Sequence, residues 1–97
     1  MSLRIWSRTP LDQFLFKEWA EDDDVVAFSK RSGDTHLLSP LPLALLAMLG
    51  QSPETSRSLL DKLTAELTQI EPDEAFELIE TTLMQLQDIG LVTHSSP

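Results

Sequence analysis

The side chains that could carry acid–base or metal chemistry are few and lie apart. The 97-residue chain has two histidines, His36 and His94, and no cysteine or tyrosine. Neither histidine stands at the spacing from a second donor that marks a metal site or a catalytic triad. Because a general base needs a partner that orients it, His36 is predicted to be a structural or surface residue. We therefore expect a protein that is not an enzyme and that uses no metal or cofactor.

A dense group of carboxylates, Glu-Asp-Asp-Asp, occupies residues 21–24. A calcium-binding EF-hand loop alternates its ligands with other residues and includes a glycine at a fixed position. Residues 21–24 neither alternate with other residue types nor include a glycine. A solvated turn is the better interpretation, since short charge runs are usually hydrated.

The chain is acidic, and the imbalance is pronounced in its C-terminal third. Sixteen Asp and Glu against seven Lys and Arg give a net charge of −9, and residues 69–97 contain no Lys or Arg. Contacts from Lys and Arg to phosphates supply most non-specific affinity for nucleic acids. Residues 71–77, where a DNA-reading helix would begin, include four acids. Nucleic acid is therefore not an expected partner.

The N-terminal residues include arginines but no uninterrupted apolar stretch, so no signal peptide is predicted. The longest mostly apolar run, residues 37–49, is interrupted by Ser39, Pro40 and Pro42. It is also shorter than the ~20 residues of a spanning helix. We expect a cytoplasmic protein without a membrane partner, folded as one domain over residues 1–97.

The first half of the chain has the composition of β-strands. Residues 3–7 and 14–19 combine apolar and aromatic side chains. Residues 25–29 and 35–38 flank a segment that contains Gly33, a residue that adopts positive φ at little cost. This pattern predicts a β-hairpin.

The second half predicts three helices. Ser39-Pro40 is a start signal, and Gly50 is expected to follow the first helix as its C′ residue. Ser52-Pro53 repeats the start signal for the second helix, and Pro72 opens a third that ends at Gly90. The apolar face of the second helix comprises Leu59, Leu60, Leu63, Leu67 and Ile70, and that of the third comprises Phe76, Ile79, Leu83 and Leu86.

Strands followed by three helices indicate an α+β domain of winged helix-turn-helix type, with about three antiparallel N-terminal strands. The last of these strands, Thr35 to Leu38, would have an edge without a neighbour. Such an edge either is protected or accepts a strand from another chain. Leu78 and Met84 fall off the main stripe of the third helix and would offer pockets beside the edge. Alternatively they pack in the core or at a dimer interface, which periodicity alone favours.

The segment G-D-T-H-L-L-S-P-L at residues 33–41, the apolar helices behind it and the ending Ile89-Gly90-Leu91-Val92 resemble the PqqD family. PqqD is the small peptide chaperone of pyrroloquinoline quinone biosynthesis. The most similar subgroup is that of the HPr-rel-A system PqqD family peptide chaperones. The resemblance covers residues 5–92. Ser39 stands where the family usually has Asn, Pro42 where Ala is common, and Thr82 where a bulkier apolar residue is common.

The resemblance implies a domain that recognises the leader of a ribosomally made precursor peptide. In such domains the leader lies as an added strand along the last strand of the sheet, packs against the third helix, and is presented to a modifying enzyme. The implied peptide-binding positions are the backbone of Thr35, His36, Leu37 and Leu38 and the side chains of Leu78, Thr81, Thr82 and Gln85. Independently of the family, the acidic third helix favours a leader bearing Lys or Arg.

Two other functions stay open from the sequence. The same strand edge and helix flank could form a homodimer or a permanent contact with a larger subunit. The domain could also be a transcription regulator that acts through protein partners. An obligate dimer that buries the edge would leave no monomer able to accept a strand, whereas DNA binding at low salt would indicate a regulator.

Overall fold

The computed structural model describes residues 4–10, 12–18, 24–65 and 67–95. The elements in chain order are β1 (Ile5–Arg8), β2 (Phe14–Glu18), β3 (Val25–Ser29), β4 (Thr35–Leu38), α1 (Pro40–Leu49), β5 (Glu54–Thr55), α2 (Ser56–Leu63), α3 (Pro72–Ile89) and β6 (Val92–Ser95). Antiparallel N-terminal strands followed by three helices confirm the predicted α+β fold. Leu3, Trp19 and residues 21–23, for which strands and a turn were predicted, lie outside the described residues.

The described strands form two three-stranded antiparallel sheets. In the first, β1 lies between β5 and β6, which come from distant parts of the chain. In the second, β3 lies between β2 and β4. The predicted hairpin of β3 and β4 forms as expected. Gly33 turns the chain with a φ of 79°, and its N–H donates to the Ser29 carbonyl at 2.8 Å.

The first helix begins as predicted and ends differently. Pro40 stands in its first turn and Ser39 precedes it in an extended conformation, although the Ser39 side chain makes no capping hydrogen bond. Gly50 follows as the C-cap residue with a φ of −68°, so it does not adopt the left-handed conformation that is common for glycine at C′. A side chain at position 50 would still be crowded, because its Cβ would lie 2.7 Å from the Arg8 guanidinium.

The second helix starts three residues later than the Ser52-Pro53 signal predicts. Residues 54 and 55 pair with β1 instead, and Thr55 then caps α2. Its hydroxyl accepts a hydrogen bond from the Ser58 N–H at 3.1 Å, and the Ser58 hydroxyl accepts one from the Thr55 N–H. This reciprocal capping box satisfies two backbone donors at the helix start. Leu67 and Ile70 lie beyond the end of the helix, yet they pack against the core.

The third helix confirms its predicted bounds. Pro72 begins it, acids occupy its first turn, and Gly90 ends it with a φ of 100°. Three of the four predicted core residues, Ile79, Leu83 and Leu86, are buried, and Phe76 packs partly against them.

One apolar core joins both sheets to the helices. Its largest fully buried side chains are Trp6, Leu45, Leu59, Leu63, Ile79, Leu83, Leu86, Leu91 and Val92. A chain of hydrogen bonds crosses it. The Trp6 indole N–H donates to the Ser56 hydroxyl at 3.1 Å, and that hydroxyl donates to the Glu80 carboxylate at 2.7 Å. The polar edge of a buried tryptophan is thereby satisfied, as buried donors generally are.

The pair of Glu54 and Lys62 should make the stability of the β5–α2 corner depend on pH. Hydrogen bonds from the Lys62 ammonium and then from the Ser58 hydroxyl lower the pKa of the Glu54 carboxyl. Because the folded-state pKa is the lower one, the stabilisation is complete above the unfolded-state pKa and is lost as the pH falls through the folded-state pKa. In urea titrations followed by circular dichroism, the midpoint of the wild type should therefore fall more on acidification than that of Glu54→Gln. Equal falls would show that the pair does not stabilise the fold.

Candidate functional site

The edge of β4 that faces away from β3 has no strand partner among the described residues. The phase of its backbone groups follows from the register. The Ser29 N–H donates to the Asp34 carbonyl at 2.9 Å, and Ala27 stands opposite His36. Since hydrogen-bonded and non-hydrogen-bonded pairs alternate in an antiparallel ladder, His36 and Leu38 bond to β3. The N–H and C=O groups of Thr35 and Leu37 therefore point to the open edge.

This phase corrects the predicted strand-pairing set. All four residues of β4 were predicted to pair with a leader through their backbone. Only Thr35 and Leu37 direct their backbone groups outward, whereas those of His36 and Leu38 are used within the sheet. Periodicity could not supply this distinction, because it depends on which residues of β3 and β4 face each other.

The side chains of β4 alternate between the two faces of the sheet. Leu38 is buried in the core with 2% of its surface exposed, and His36 is half-buried on the same face. Thr35 and Leu37 are exposed on the opposite, outer face, and Leu37 leaves 66% of its surface uncovered. An added strand at this edge would meet Leu37 on the outer face and His36 on the inner one.

Three of the four predicted positions on α3 lie at the surface. Leu78, Thr81 and Gln85 are exposed, and their spacing of three and four residues places them along one side of the helix. Thr82 is buried, with 6% of its surface exposed, and its hydroxyl donates to the Leu78 carbonyl at 2.7 Å. Thr82 therefore cannot line an open wall, which corrects that prediction.

Leu78 and Met84 are not core residues in the folded chain. They expose 40% and 52% of their surfaces, respectively. This exposure contradicts packing in the core, whereas it does not bear on the alternative of a dimer interface. It leaves two apolar side chains on the solvent side of an otherwise acidic helix.

The C-terminal end of α3 lies beside the start of β2 and the end of β3. One cavity of about 340 Å³ is lined by Phe14 from β2, Ser29 at the end of β3, Arg31 from the turn that follows, and Ile89 and Gly90 from the end of α3. None of the β4 residues lines this cavity, which therefore lies at the β2 side of the second sheet and does not join β4 to α3. Elsewhere α3 packs mainly on α1, α2 and β6.

The outer face of the second sheet is apolar, a feature that sequence reasoning missed. Leu15, Phe28 and Thr35 form one cross-strand row, and Lys17, Val26 and Leu37 form the next. Leu15 and Phe28 expose 55% and 38% of their surfaces. The consecutive apolar residues at positions 14–16 and 37–38 are a sequence signal for it, because neighbouring strand residues face opposite sides of the sheet.

The surface of α3 carries a dense negative charge. Asp73, Glu74, Glu77 and Asp88 are exposed along it, and no Lys or Arg occurs in the helix. Glu74 and Glu77 lie one turn before Leu78 and Thr81, so their carboxylates border the predicted peptide-binding side. A cationic peptide would meet favourable charge there.

A larger cavity, of about 510 Å³, lies between α2 and the start of α3, away from β4. Arg57, Leu60, Ile70 and Ala75 are among its lining residues. The Arg57 guanidinium stands over the Phe76 ring at 5.1 Å from its centre. This cavity has no part in the candidate site.

Within the described parts of the chain, no three His, Asp or Glu side chains are grouped closely enough to hold a metal ion. Among the described helices, none combines the length and apolar character needed to cross a bilayer. No family model, curated protein or solved structure matches the chain. The case for a function therefore depends on the site itself and on the resemblance in residues 33–41.

Proposed function

We propose that this protein is a non-catalytic peptide chaperone of the PqqD type, which binds the leader of a ribosomally made precursor peptide and presents it to a modifying enzyme in the cytoplasm. The observation that carries the proposal is the open edge of β4, with the backbone groups of Thr35 and Leu37 directed outward. Strand addition to an open edge is a general mode of peptide recognition.

The backbone contacts alone would give modest affinity. Thr35 and Leu37 together offer two donors and two acceptors, and a typical hydrogen bond contributes a net ~0.5–1.5 kcal/mol. Specificity must come from side chains on both sides of the added strand. Leu37 on the outer face and Leu78, Thr81 and Gln85 on α3 are the exposed side chains that supply it.

The charge of α3 predicts which leaders bind best. Peptides bearing Lys or Arg should associate faster than acidic ones, and the difference should shrink as salt is added, because screening weakens surface electrostatics. The peptides to test are fluorescent synthetic leaders encoded by short reading frames beside the gene, with binding followed by anisotropy. Neutralising Glu74 and Glu77 together as Gln should slow association several-fold at low salt.

Asp61→Asn in α2 is the matched control for this experiment, since it removes one exposed carboxylate away from the candidate site. Its association rate should stay close to that of the wild type. A leader that is acidic and still binds tightly would contradict the charge preference, while leaving strand addition intact.

A structural role is the second candidate, and the apolar outer face of the second sheet favours it. Leu15, Phe28 and Leu37 are large apolar side chains exposed on the same face, and exposed apolar groups of this kind often mark a protein contact. In this alternative the face and the β4 edge are covered permanently by a larger subunit. Binding of a short leader to the isolated chain would argue against it.

A further inference from the structure

We propose that a second copy of this chain pairs with β2, which among the described strands is the other edge of the second sheet, in a two-fold symmetric dimer. The two sheets would then form one six-stranded sheet. The inference goes beyond peptide binding and does not depend on it. It also leaves β4 free, because β4 lies on the far side of each sheet from β2.

The described strand β2 contains no proline, and its two charged residues, Lys17 and Glu18, lie together at its C-terminal end. Proteins discourage pairing at edges with charged side chains, especially Lys, and with proline, bulges or a covering segment. β2 reads F-L-F-K-E, with three apolar residues in a row, and all five residues are exposed or half-buried. Leu15 and Phe16 expose 55% and 40% of their surfaces, on opposite faces of the strand.

The backbone of β2 has the right phase for a partner strand. The Lys30 N–H donates to the Gln13 carbonyl at 2.8 Å, which extends the β2–β3 ladder by one hydrogen-bonded pair. By alternation, Leu15 and Lys17 bond to β3. Phe14, Phe16 and Glu18 then direct their N–H and C=O groups outward, at even spacing.

Charge selects one register for the symmetric pair. With Phe16 opposite its own copy, Leu15 faces Lys17 and Phe14 faces Glu18, so no like charges are directly opposed. A shift of two residues in one direction places Lys17 opposite Lys17. A shift in the other direction places Asp12 opposite Glu18. Directly opposed like charges destabilise a strand pair, so both shifted registers are disfavoured. The centred register also gives every residue of β2 a partner on the second copy.

A groove beside this edge can receive the partner's phenylalanine. Its volume is about 210 Å³, and two charged residues, Arg8 and Glu18, line it together with the apolar residues Phe16, Val25, Leu43, Leu46 and Ala47. Phe16 lies on the inner face, in the same cross-strand row as Ala27. In the centred register the partner's Phe16 therefore enters from the same face as the groove. Backbone pairing along β2 and burial of Phe16 in the groove thus both favour a second copy of this chain as the partner.

The test measures molar mass in solution by light scattering over a range of concentrations. The wild type should form a dimer. Phe16→Lys places two ammonium groups opposite each other and should raise the dimer dissociation constant at least about tenfold, equal to ~1.4 kcal/mol. Leu37→Lys is the matched control, since it makes the same change at the β4 edge and should leave the dimer intact. A monomeric wild type, a dimer that survives Phe16→Lys, or a dimer that Leu37→Lys disrupts would overturn the proposal.

Single cysteines test the register, because the chain has none of its own. Opposed residues of a hydrogen-bonded antiparallel pair have Cα atoms ~5.5 Å apart, within the range of a disulfide. Phe16→Cys should therefore cross-link to a covalent dimer under mild oxidation. Leu15→Cys should not, since Leu15 faces Lys17. Efficient cross-linking of Leu15→Cys instead would contradict the centred register. Leader binding by Phe16→Lys should match the wild type, so the two proposals can fail separately.

Discussion

Leu37→Pro should weaken leader binding about 10- to 100-fold and leave the fold intact. The backbone N–H of Leu37 points to the open edge of β4, so its removal costs no hydrogen bond within the sheet. Proline is tolerated on edge strands for this reason. The leader's carbonyl loses its donor, and an unsatisfied group in a contact costs ~1–3 kcal/mol. Fluorescence anisotropy with a candidate leader measures the change.

Leu37→Ala is the control for this substitution. It removes the same exposed side chain but keeps the N–H, so its affinity should lie between those of the wild type and Leu37→Pro. Circular dichroism should show that both variants fold. Equal losses in the two variants would mean that the Leu37 side chain binds the leader and that its backbone does not.

Trp6→Ala should lower the free energy of unfolding by about 3–5 kcal/mol. Trp6 is fully buried between the first sheet and the helices, and its indole N–H donates to Ser56, which in turn donates to Glu80. The substitution leaves a cavity and removes the first donor of that chain. The free energy of unfolding of a small domain is only about 5–15 kcal/mol in total. The expected loss at Trp6 is therefore a large fraction of the stability.

Urea titration followed by far-ultraviolet circular dichroism measures the effect without relying on tryptophan emission. Leu78→Ala is the matched control, since Leu78 is a large apolar residue that exposes 40% of its surface. It should change stability by no more than about 0.5 kcal/mol, as surface substitutions usually do. A loss at Trp6 no larger than this would contradict its place at the centre of the core.

Turn and capping residues correctly predicted the elements whose bounds depend only on residues nearby in the sequence. Gly33 placed the β3–β4 turn, and Pro72 with Gly90 bounded α3. The first sheet was not predicted as such, since β1 pairs with β5 about fifty residues away and with β6 about ninety residues away. That pairing also explains why the start signal at residues 52–53 failed. Residues 54–55 satisfy their backbone groups in the sheet before α2 begins.

The sequence was sufficient to predict which strand and helix carry the candidate site, but not which of their residues face it. The turn at Gly33 and the length of β4 were enough to place an edge strand at residues 35–38. The backbone groups of Thr35 and Leu37 point outward because of the register between β3 and β4, and that register cannot be predicted from composition. Thr82 was assigned to the site from the resemblance, but in the structure it is buried beside Leu83, and its hydroxyl donates to the Leu78 carbonyl.

Amide hydrogen exchange of β4, measured by NMR with and without a candidate leader, tests the central claim most directly. In the free protein the N–H groups of His36 and Leu38, bonded to β3, should exchange slowly, and those of Thr35 and Leu37 should exchange fast. Saturating leader should protect Thr35 and Leu37 and change His36 and Leu38 little. A leader that binds while Thr35 and Leu37 stay unprotected would contradict strand addition at this edge.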